Sequence, residues 1–176
     1  YQTAGDDQSK IADEIREAWK EADLILTTGG VSVGEKDLLP GVIENLNGNV
    51  LFHGIQVKPG MPTMLSVVKR TPVLSLSGNP FAVEALFEVL AGGYLTDMED
   101  SRYLQKNQMK VLKQTFVKTG KMKRIVKGGC DESGVYLPQI QKNGQLKNGI
   151  GSNCLVIFPE GERTYAEGEA VRVIRI

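Results

Sequence analysis

The chain has 176 residues, of which 41% are apolar and 24% charged, as expected for a soluble globular protein with one ordinary domain or two small ones. Lysine plus arginine and aspartate plus glutamate both number 21, so the chain lacks the basic excess of a general nucleic-acid binder. No apolar run approaches the roughly 20 residues of a membrane-spanning helix, and the polar, acidic first ten residues do not resemble a signal peptide. We therefore expect a cytoplasmic protein with no nucleic-acid or membrane partner.

The chain is poor in side chains that bind soft metals. Its two cysteines, Cys130 and Cys154, can pair or stay free, and the lack of an export signal favours the reduced state. The one histidine, His53, lies in an apolar segment, so we interpret it as hydrogen-bonded and partly buried rather than catalytic. Closely spaced zinc ligands are missing from the sequence. A bound metal is therefore expected to be a hard cation, or an oxyanion, held by oxygens, amides and lysine.

The first hundred residues alternate between helical and strand patterns. A first helix follows the candidate N-caps Asp6, Asp7 and Ser9, and its apolar residues recur at helical spacing. The elements predicted after it are a strand at 23–28, a helix at 38–46, strands at 50–57, 63–68 and 73–76, and a helix at 81–95. This alternation indicates an α/β sandwich around a largely parallel sheet.

The second part of the chain has a different pattern. Short alternating segments are separated by turn signals rich in glycine, and they are predicted as strands at 109–117, 122–127, 135–139, 154–158 and 170–176. This pattern predicts a small all-β module, either a barrel or a sandwich. We place the boundary near residue 100, which gives domains at 1–99 and 100–176.

A glycine-rich stretch follows the predicted strand at 23–28. Glycine lets the backbone approach a ligand closely, and exposed amides with nearby hydroxyls can cradle a phosphate or another anion. The candidate binding residues here are Thr28, Gly29, Gly30, Ser32 and Gly34. Their position fits the rule that open α/β sheets bind ligands at the carboxyl ends of strands. Asp37 either caps the next helix or contacts a cation or substrate, and a tight loop with a capping aspartate is the purely structural reading.

A second stretch of the same kind follows the strand at 73–76. Ser77 and Gly78 lead into Asn79, a good N-cap, and Pro80, which suits the first position of a helix. The amides at that helix start would point at the same sheet edge as the first loop. Two such loops favour a binding site, although a well-formed strand–helix turn explains the second one equally well.

A third stretch, at 58–62, contains two prolines around a glycine. The prolines fix the shape of the turn, which makes Lys58 a rigidly placed cation suited to phosphate or another oxyanion. The structural alternative is a surface lysine on a turn.

Together these motifs resemble those of the MoeA/gephyrin E-domain family, the molybdopterin molybdenumtransferases. The family's GGVSVGE-x-D string stands at 29–37, its KPG-x-P string at 58–62 and its GNP string at 78–80, in the family's order and spacing. The resemblance is strong over residues 1 to about 95 and weaker from about 105 to 176. It implies part of a MogA-like molybdopterin-binding three-layer α/β domain, followed by the family's small C-terminal β-barrel. It also implies that the chain is a C-terminal fragment, inactive alone, because the family has an N-terminal region and an earlier half of this domain.

The resemblance further implies a reaction. Enzymes of this family take adenylylated molybdopterin and molybdate, cleave the pyrophosphate link, leave molybdenum on the dithiolene and release AMP, with Mg²⁺ as the divalent cation. It implies small-molecule substrates, a homodimer and a MogA-like adenylyltransferase as a possible partner.

The family's functional positions carry over residue by residue. Asp6 and Asp37 match functional acidic positions, which assigns both to the catalytic and metal pocket. Lys58 matches the lysine of the KPG string, and Pro80 matches the proline of the GNP string. Lys127 falls near a functional arginine and Asn143 near a small polar position, both in loose alignment.

The sequence departs from the family's pattern at two motif positions. Ser77 stands where many members have proline, and Met61 stands where many have a second lysine. The loss of that positive charge weakens the case for anion binding. Lys127 in place of arginine would also give up bidentate contact with phosphate.

Two other functions remain open at this point. One is a non-catalytic molybdopterin-binding or scaffold module of the same fold, since gephyrin's E domain also anchors a receptor. The other is a stand-alone pterin-binding protein similar to MogA, against which the appended β-module argues.

Overall fold

The computed structural model describes residues 3–32, 37–92, 107–138 and 151–176. The chain divides into two compact units. The first comprises Tyr1–Ile55 and Gly60–Val83, and the second comprises Gln56–Pro59 and Glu84–Ile176. The boundary predicted near residue 100 lies outside the described residues. Within those residues, none of the helices has the length and apolar character needed to span a bilayer.

The first unit packs two helices against a four-stranded sheet. Its elements are helix α1 (Gln8–Ala18), strand β1 (Ile25–Thr28), helix α2 (Leu39–Asn45) and strands β2 (Asn49–His53), β4 (Met64–Val68) and β5 (Thr71–Leu76). The helices and one sheet face share a core that includes Ile15, Ile25, Ile43, Met64 and Val73. The predicted apolar stripe of α1 is confirmed, because its residues are buried in this core or packed against it.

The sheet has the strand order β1-β5-β4-β2 and is mixed. Only β1 and β5 are parallel, while β4 runs antiparallel to both β5 and β2. The prediction of a largely parallel sheet is therefore wrong for the described strands. The cause is local: a two-residue turn at Lys69 and Arg70 joins β4 to β5, and a turn this short connects only antiparallel strands. Lys69 adopts the left-handed conformation, with φ 59°, that such turns require.

The caps of the helices follow the sequence closely, with one exception. Asp7 is the N-cap of α1, and its carboxylate accepts hydrogen bonds from the N–H groups of Ser9 and Lys10. The Ser9 hydroxyl donates to the same carboxylate. This bond, followed by those from the two N–H groups, holds the pKa of Asp7 below its ordinary value. Asp37 does not cap α2, because Leu38 is the N-cap and makes no side-chain capping bond. The capping role considered for Asp37 is thus wrong.

The segment predicted as one strand at 50–57 is divided between the two units. Strand β2 ends at His53, and Gly54 turns the chain with φ 97°. Strand β3 (Val57–Lys58) then pairs in parallel with strand β8 (Lys123–Cys130) of the second unit. The predicted helix at 81–95 is helix α3 (Pro80–Leu86) continued by a π-helical turn at Phe87–Ala91, and its last predicted residues lie outside the described part.

The second unit contains the end of α3 and the π-helical turn, together with the β-strands predicted for the later part of the chain. Its further strands are β6 (Asn107–Val111), β7 (Phe116–Lys118), β8 (Lys123–Cys130), β9 (Val135–Tyr136), β10 (Cys154–Phe158), β11 (Arg163–Tyr165) and β12 (Ala170–Arg175). Strands β3, β8, β10, β12 and β6 lie side by side in that order, β9 joins β8, and β7 pairs with β11. The segment predicted as one strand at 109–117 is divided into β6 and β7, and β11 was not predicted.

The core of the second unit centres on an aromatic cluster. The rings of Phe116 and Phe158 stack with centroids 4.5 Å apart, and Tyr165 meets Phe158 edge-on at 4.8 Å. Cys130 and Cys154 lie in the same core as free thiols, as predicted.

Candidate anion-binding site

The glycine loop after β1 is fixed at three backbone positions. The Gly29 N–H donates to the Leu76 carbonyl at 2.9 Å, which extends the pairing of β1 with β5 by one residue. The Gly30 carbonyl accepts from the Leu39 N–H at 3.1 Å and so satisfies an otherwise unpaired amide at the start of α2. The Val31 carbonyl is 2.7 Å from His53 Nε2. The loop is therefore attached to β5, α2 and β2 at consecutive residues.

Both glycines of this loop have backbone angles that other residues rarely adopt. Gly29 has φ 85° and Gly30 has φ 64°. A Cβ atom on Gly30 would meet only Leu39 side-chain atoms at 3.9 Å, and one on Gly29 would meet nothing within 4 Å. Glycine is thus required here by backbone conformation and not by lack of space.

The loop after β5 has the geometry that its sequence predicts. Pro80 is the first residue of α3, and Asn79 Oδ1 accepts from the Ala82 N–H at 3.1 Å. The Asn79 carbonyl accepts from the Val83 N–H at 3.0 Å. The N-cap prediction for Asn79 and the first-turn position of Pro80 are confirmed.

The two loops lie next to each other at the carboxyl ends of β1 and β5, the parallel pair of the four-stranded sheet. A Cβ atom on Gly78 would stand 3.7 Å from the Cα of Gly29. The structure therefore brings Gly29 of the first predicted loop beside Gly78 of the second. The other described candidates lie within three positions of one of these glycines along the chain: Thr28, Gly30, Ser32, Ser77, Asn79 and Pro80. Gly34 lies outside the described residues.

Two buried hydroxyls lie directly before these loops. Thr27 on β1 and Ser75 on β5 are register partners, so their side chains share one face of the sheet. Ser75 is fully buried, and neither Thr27 Oγ1 nor Ser75 Oγ has a hydrogen-bond partner among the described residues. Buried hydroxyls without partners are costly and uncommon, and they concentrate at places that hold water or a ligand.

The predicted acidic residues do not form a preformed cage for a metal. Asp6 is exposed, one residue before the cap of α1, and Asp37 is partly buried before α2. Over the described ranges, no group of three or more histidine, cysteine or acidic side chains is placed to hold a metal ion. A Mg²⁺ ion needs no such cage, since it commonly binds through one or two carboxylates, its own waters and the phosphates of a substrate. Two separate aspartates fit that mode only in the presence of a phosphate ligand.

The two predicted lysines belong to the second unit. Lys58 is exposed at the end of β3, opposite Arg124 of β8. The Lys127 ammonium lies 2.5 Å from a Glu84 carboxylate oxygen, with 18% of its side chain exposed. Lys127 is therefore ion-paired within its own unit. Asn143, the other loosely aligned position, is outside the described residues.

This arrangement is suited to holding an anion. The carbonyls of Gly30 and Val31 are bonded to the protein, while within the described part of the chain the N–H groups of Val31 and Ser32 have no partner. Consecutive amides of this kind attract phosphate and similar groups. Fold and site together define an α/β protein with a candidate anion-binding site at the carboxyl edge of its sheet, and most of the described residues after it are β-strands.

Comparisons with known proteins specify this class further. Residues 1–97 match a family described as a probable molybdopterin binding domain. The molybdopterin molybdenumtransferase of Bacillus subtilis (strain 168) is 31% identical over 183 residues, which cover 95% of this chain and 42% of that protein. The corresponding protein of Staphylococcus aureus (strain COL) is 28% identical over 179 residues, which cover 99% of this chain and 43% of that protein. The chain thus spans less than half the length of these relatives.

A solved structure agrees with these relatives. The molybdopterin biosynthesis MoeA protein from Pyrococcus horikosii superposes with a TM-score of 0.75 at 26% identity, covering 98% of this chain and 42% of that chain. The chain belongs to the family of probable molybdopterin binding domains. The resemblance to the MoeA/gephyrin family is confirmed, as is the predicted fold class.

Two of the contacts that shape the site could not be predicted from the sequence. The bond from the Leu39 N–H to Gly30 and the approach of His53 to Val31 join residues that are far apart along the chain. His53 is hydrogen-bonded, as predicted, although it is exposed as a residue. The only sequence signal was that one polar ring interrupts an apolar strand.

Proposed function

We propose that the protein acts in molybdenum cofactor biosynthesis and inserts molybdenum from molybdate into adenylylated molybdopterin with release of AMP. In this reaction a water oxygen attacks phosphorus, the phosphoanhydride bond breaks and AMP leaves. The two dithiolene thiols then bind molybdenum, and one molybdate oxygen leaves as water with their two protons. The proposal draws on the names of the relatives, which the chain matches over less than half of their length. The single observation that carries it is the pair of glycine loops side by side at the ends of β1 and β5, where two amides of the first loop have no partner among the described residues.

Each loop has a distinct part in this proposal. The amides of Val31 and Ser32, together with the hydroxyls of Thr28 and Ser32, hold a phosphate of the substrate. Gly29 and Gly30 allow the backbone to turn there, since their φ angles are positive. The second loop, Ser77–Pro80, forms the neighbouring wall, and Gly78 leaves room beside Gly29.

The charged residues of the proposed site bind the metal ion and the anionic substrates. We assign Asp6 and Asp37 to a Mg²⁺ ion that also contacts the substrate phosphates, a mode that needs no cage of protein ligands. When bound, Mg²⁺ neutralises the negative charge that develops as the phosphoanhydride breaks. Lys58 supplies a positive charge for phosphate or molybdate, and Met61, which is 49% exposed, adds no second charge.

We propose the family's setting for the whole protein as well. It is a cytoplasmic homodimer whose adenylylated substrate is supplied by a MogA-like adenylyltransferase. The non-catalytic alternative, a molybdopterin-binding or scaffold module of the same fold, predicts ligand binding without turnover.

A segment exchange tests the proposal. The part of the Bacillus subtilis relative that matches this chain is replaced by this chain, and the hybrid is expressed in a strain that lacks the relative. We expect molybdoenzyme activity to return, and we expect Asp37→Asn to abolish it because the amide removes a negative ligand. A stable hybrid that binds AMP but restores no activity would support the non-catalytic module instead.

A further inference from the structure

His53 makes a contact that the proposed reaction does not explain. Its Nε2 atom lies 2.7 Å from the carbonyl oxygen of Val31, in the middle of the glycine loop. We propose that His53 is a positioning residue, which fixes the Val31–Ser32 peptide plane so that the Ser32 N–H is presented to an anionic ligand. The part of this inference that concerns the ligand rests on the proposed function.

The argument begins with the geometry of the peptide bond. In a trans peptide, the carbonyl of one residue and the N–H of the next point in opposite directions within one rigid plane. A bond that holds the Val31 carbonyl toward His53 therefore directs the Ser32 N–H away from His53. Ser32 is an exposed residue, and its N–H has no partner among the described residues.

The neighbouring peptide plane is held in the same way. The Gly30 carbonyl accepts from the Leu39 N–H, so the Val31 N–H is turned away from α2. Two successive amides are thus oriented by bonds on their carbonyl sides. The Leu39 bond uses a backbone amide, which every sequence supplies, whereas the His53 bond depends on one side chain.

Strand β2 is shaped to bring His53 to the loop. Its register against β4 shifts between Val50 and Phe52, a β-bulge that places His53 opposite Met64. Directly opposed residues of an antiparallel pair share a face, and Met64 is fully buried in the core that also contains Val31. Without the bulge, the alternation of side chains would put His53 on the other face.

The chemistry of the contact fixes the position of a proton. A carbonyl oxygen only accepts hydrogen bonds, so Nε2 must carry the hydrogen. Because the chain contains one histidine, its ring signals can be assigned without ambiguity. The inference therefore predicts an Nε2-protonated ring in the full chain.

Three substitutions separate the contact from the mere presence of a side chain. In His53→Gln, the side-chain amide nitrogen stands the same number of bonds from Cβ as Nε2 and can donate to Val31. In His53→Asn the nitrogen is one bond too short, and His53→Ala removes it. The readouts are nitrogen NMR of the ring, hydrogen exchange at the Gly29 and Leu39 amides, and titration with AMP.

We expect exchange at Gly29 and Leu39 to rise about tenfold in the alanine and asparagine variants, the equivalent of one hydrogen bond, and to recover in the glutamine variant. The Gly54 amide, which donates to the Thr63 carbonyl at 2.8 Å, should not change, because it reports on β2 itself. Affinity for AMP should likewise fall in the alanine and asparagine variants and recover in the glutamine variant.

Several results would overturn the inference. These are an Nδ1-protonated neutral ring, equal behaviour of the glutamine and asparagine variants, and an exchange increase at Gly54 as large as that at Leu39. If the wild-type chain does not bind AMP, the proposed function fails at this site, while the NMR and exchange results still decide whether His53 positions the loop.

Discussion

The two units differ in how they satisfy the polar groups at their strand ends. In the second unit, Lys118 is 1% exposed, and its ammonium donates to the carbonyls of Gly120 and Gly161 in two separate turns. Asn153 bonds both the N–H and the carbonyl of Cys130. These side chains hold turns closed.

In the first unit, the end of the parallel strand pair is left open. Of the three buried side-chain atoms without a partner in the described part of the chain, two are the hydroxyls of Thr27 and Ser75, and the third is Arg175 Nε of the second unit. A buried polar group without a partner costs about 1 to 3 kcal/mol. Two of these three atoms therefore lie just before the glycine loops of the first unit, where a ligand is expected.

The largest change in stability should come from removing the hydrogen bonds of the buried Lys118 ammonium. Lys118→Met keeps most of the side-chain volume but removes the ammonium, so two turn carbonyls lose their donor. We expect the free energy of unfolding to fall by about 2 to 4 kcal/mol, measured by urea denaturation. Lys121→Met is the matched control, since Lys121 is exposed, and it should change little. Similar losses in both variants would show that the Lys118 bonds contribute nothing specific.

A second prediction compares the effect on stability of replacing two glycines of the first unit by alanine. Gly30 has φ 64° in the loop, so Gly30→Ala should destabilise by about 1 to 2 kcal/mol. Gly41 lies inside α2, where a Cβ atom would find its nearest contact at 3.8 Å, so Gly41→Ala should stabilise by about 0.5 to 1 kcal/mol. Thermal unfolding of both variants gives the signs, and equal signs would contradict the assignment of strain to the loop.

The two cysteines of the chain both lie in the second unit, and they give its stability a dependence on alkaline pH. Burial, and then the neighbouring Cys130 thiol, raise the pKa of Cys154 to about 12 from its ordinary value of 9.0. The folded state therefore keeps this proton when the unfolded state loses it, and stability should fall as pH rises from about 9 toward 12. Cys154→Ser retains a donor for the Gly128 carbonyl but does not titrate in this range, so its alkaline loss should be smaller. Parallel pH curves for both proteins would contradict this origin.

The sequence was sufficient for features that depend on neighbouring residues. Asp7 as a cap, Pro80 in a first turn and the glycines of the first loop follow from local backbone chemistry, and all are found. Strand direction was predicted wrongly, because a two-residue turn at 69–70 outweighs the alternation of helices and strands.

The parts of the site that were missed depend on distant residues. His53 reaches Val31 only because a bulge in β2 sets its face, and no local pattern reveals a bulge. Lys127 meets Glu84 across more than 40 positions of the sequence, so its ion pair could not be read from either segment. Such contacts are set by packing.

The smallest expected change in stability tests most directly whether the buried hydroxyls at the ends of β1 and β5 are unsatisfied. Ser66 and Ser75 are both fully buried, but Ser66 Oγ lies 3.5 Å from the Val73 carbonyl, whereas Ser75 Oγ has no partner in the described part of the chain. Ser75→Ala removes a cost and should stabilise the ligand-free chain by up to about 1 kcal/mol, while Ser66→Ala removes a weak bond and should destabilise it by about 0.5 kcal/mol. Chemical denaturation of both variants gives the two signs. A destabilising Ser75→Ala would mean that an ordered water already satisfies the hydroxyl, and the contrast between the units would then lie in hydration and not in unsatisfied groups.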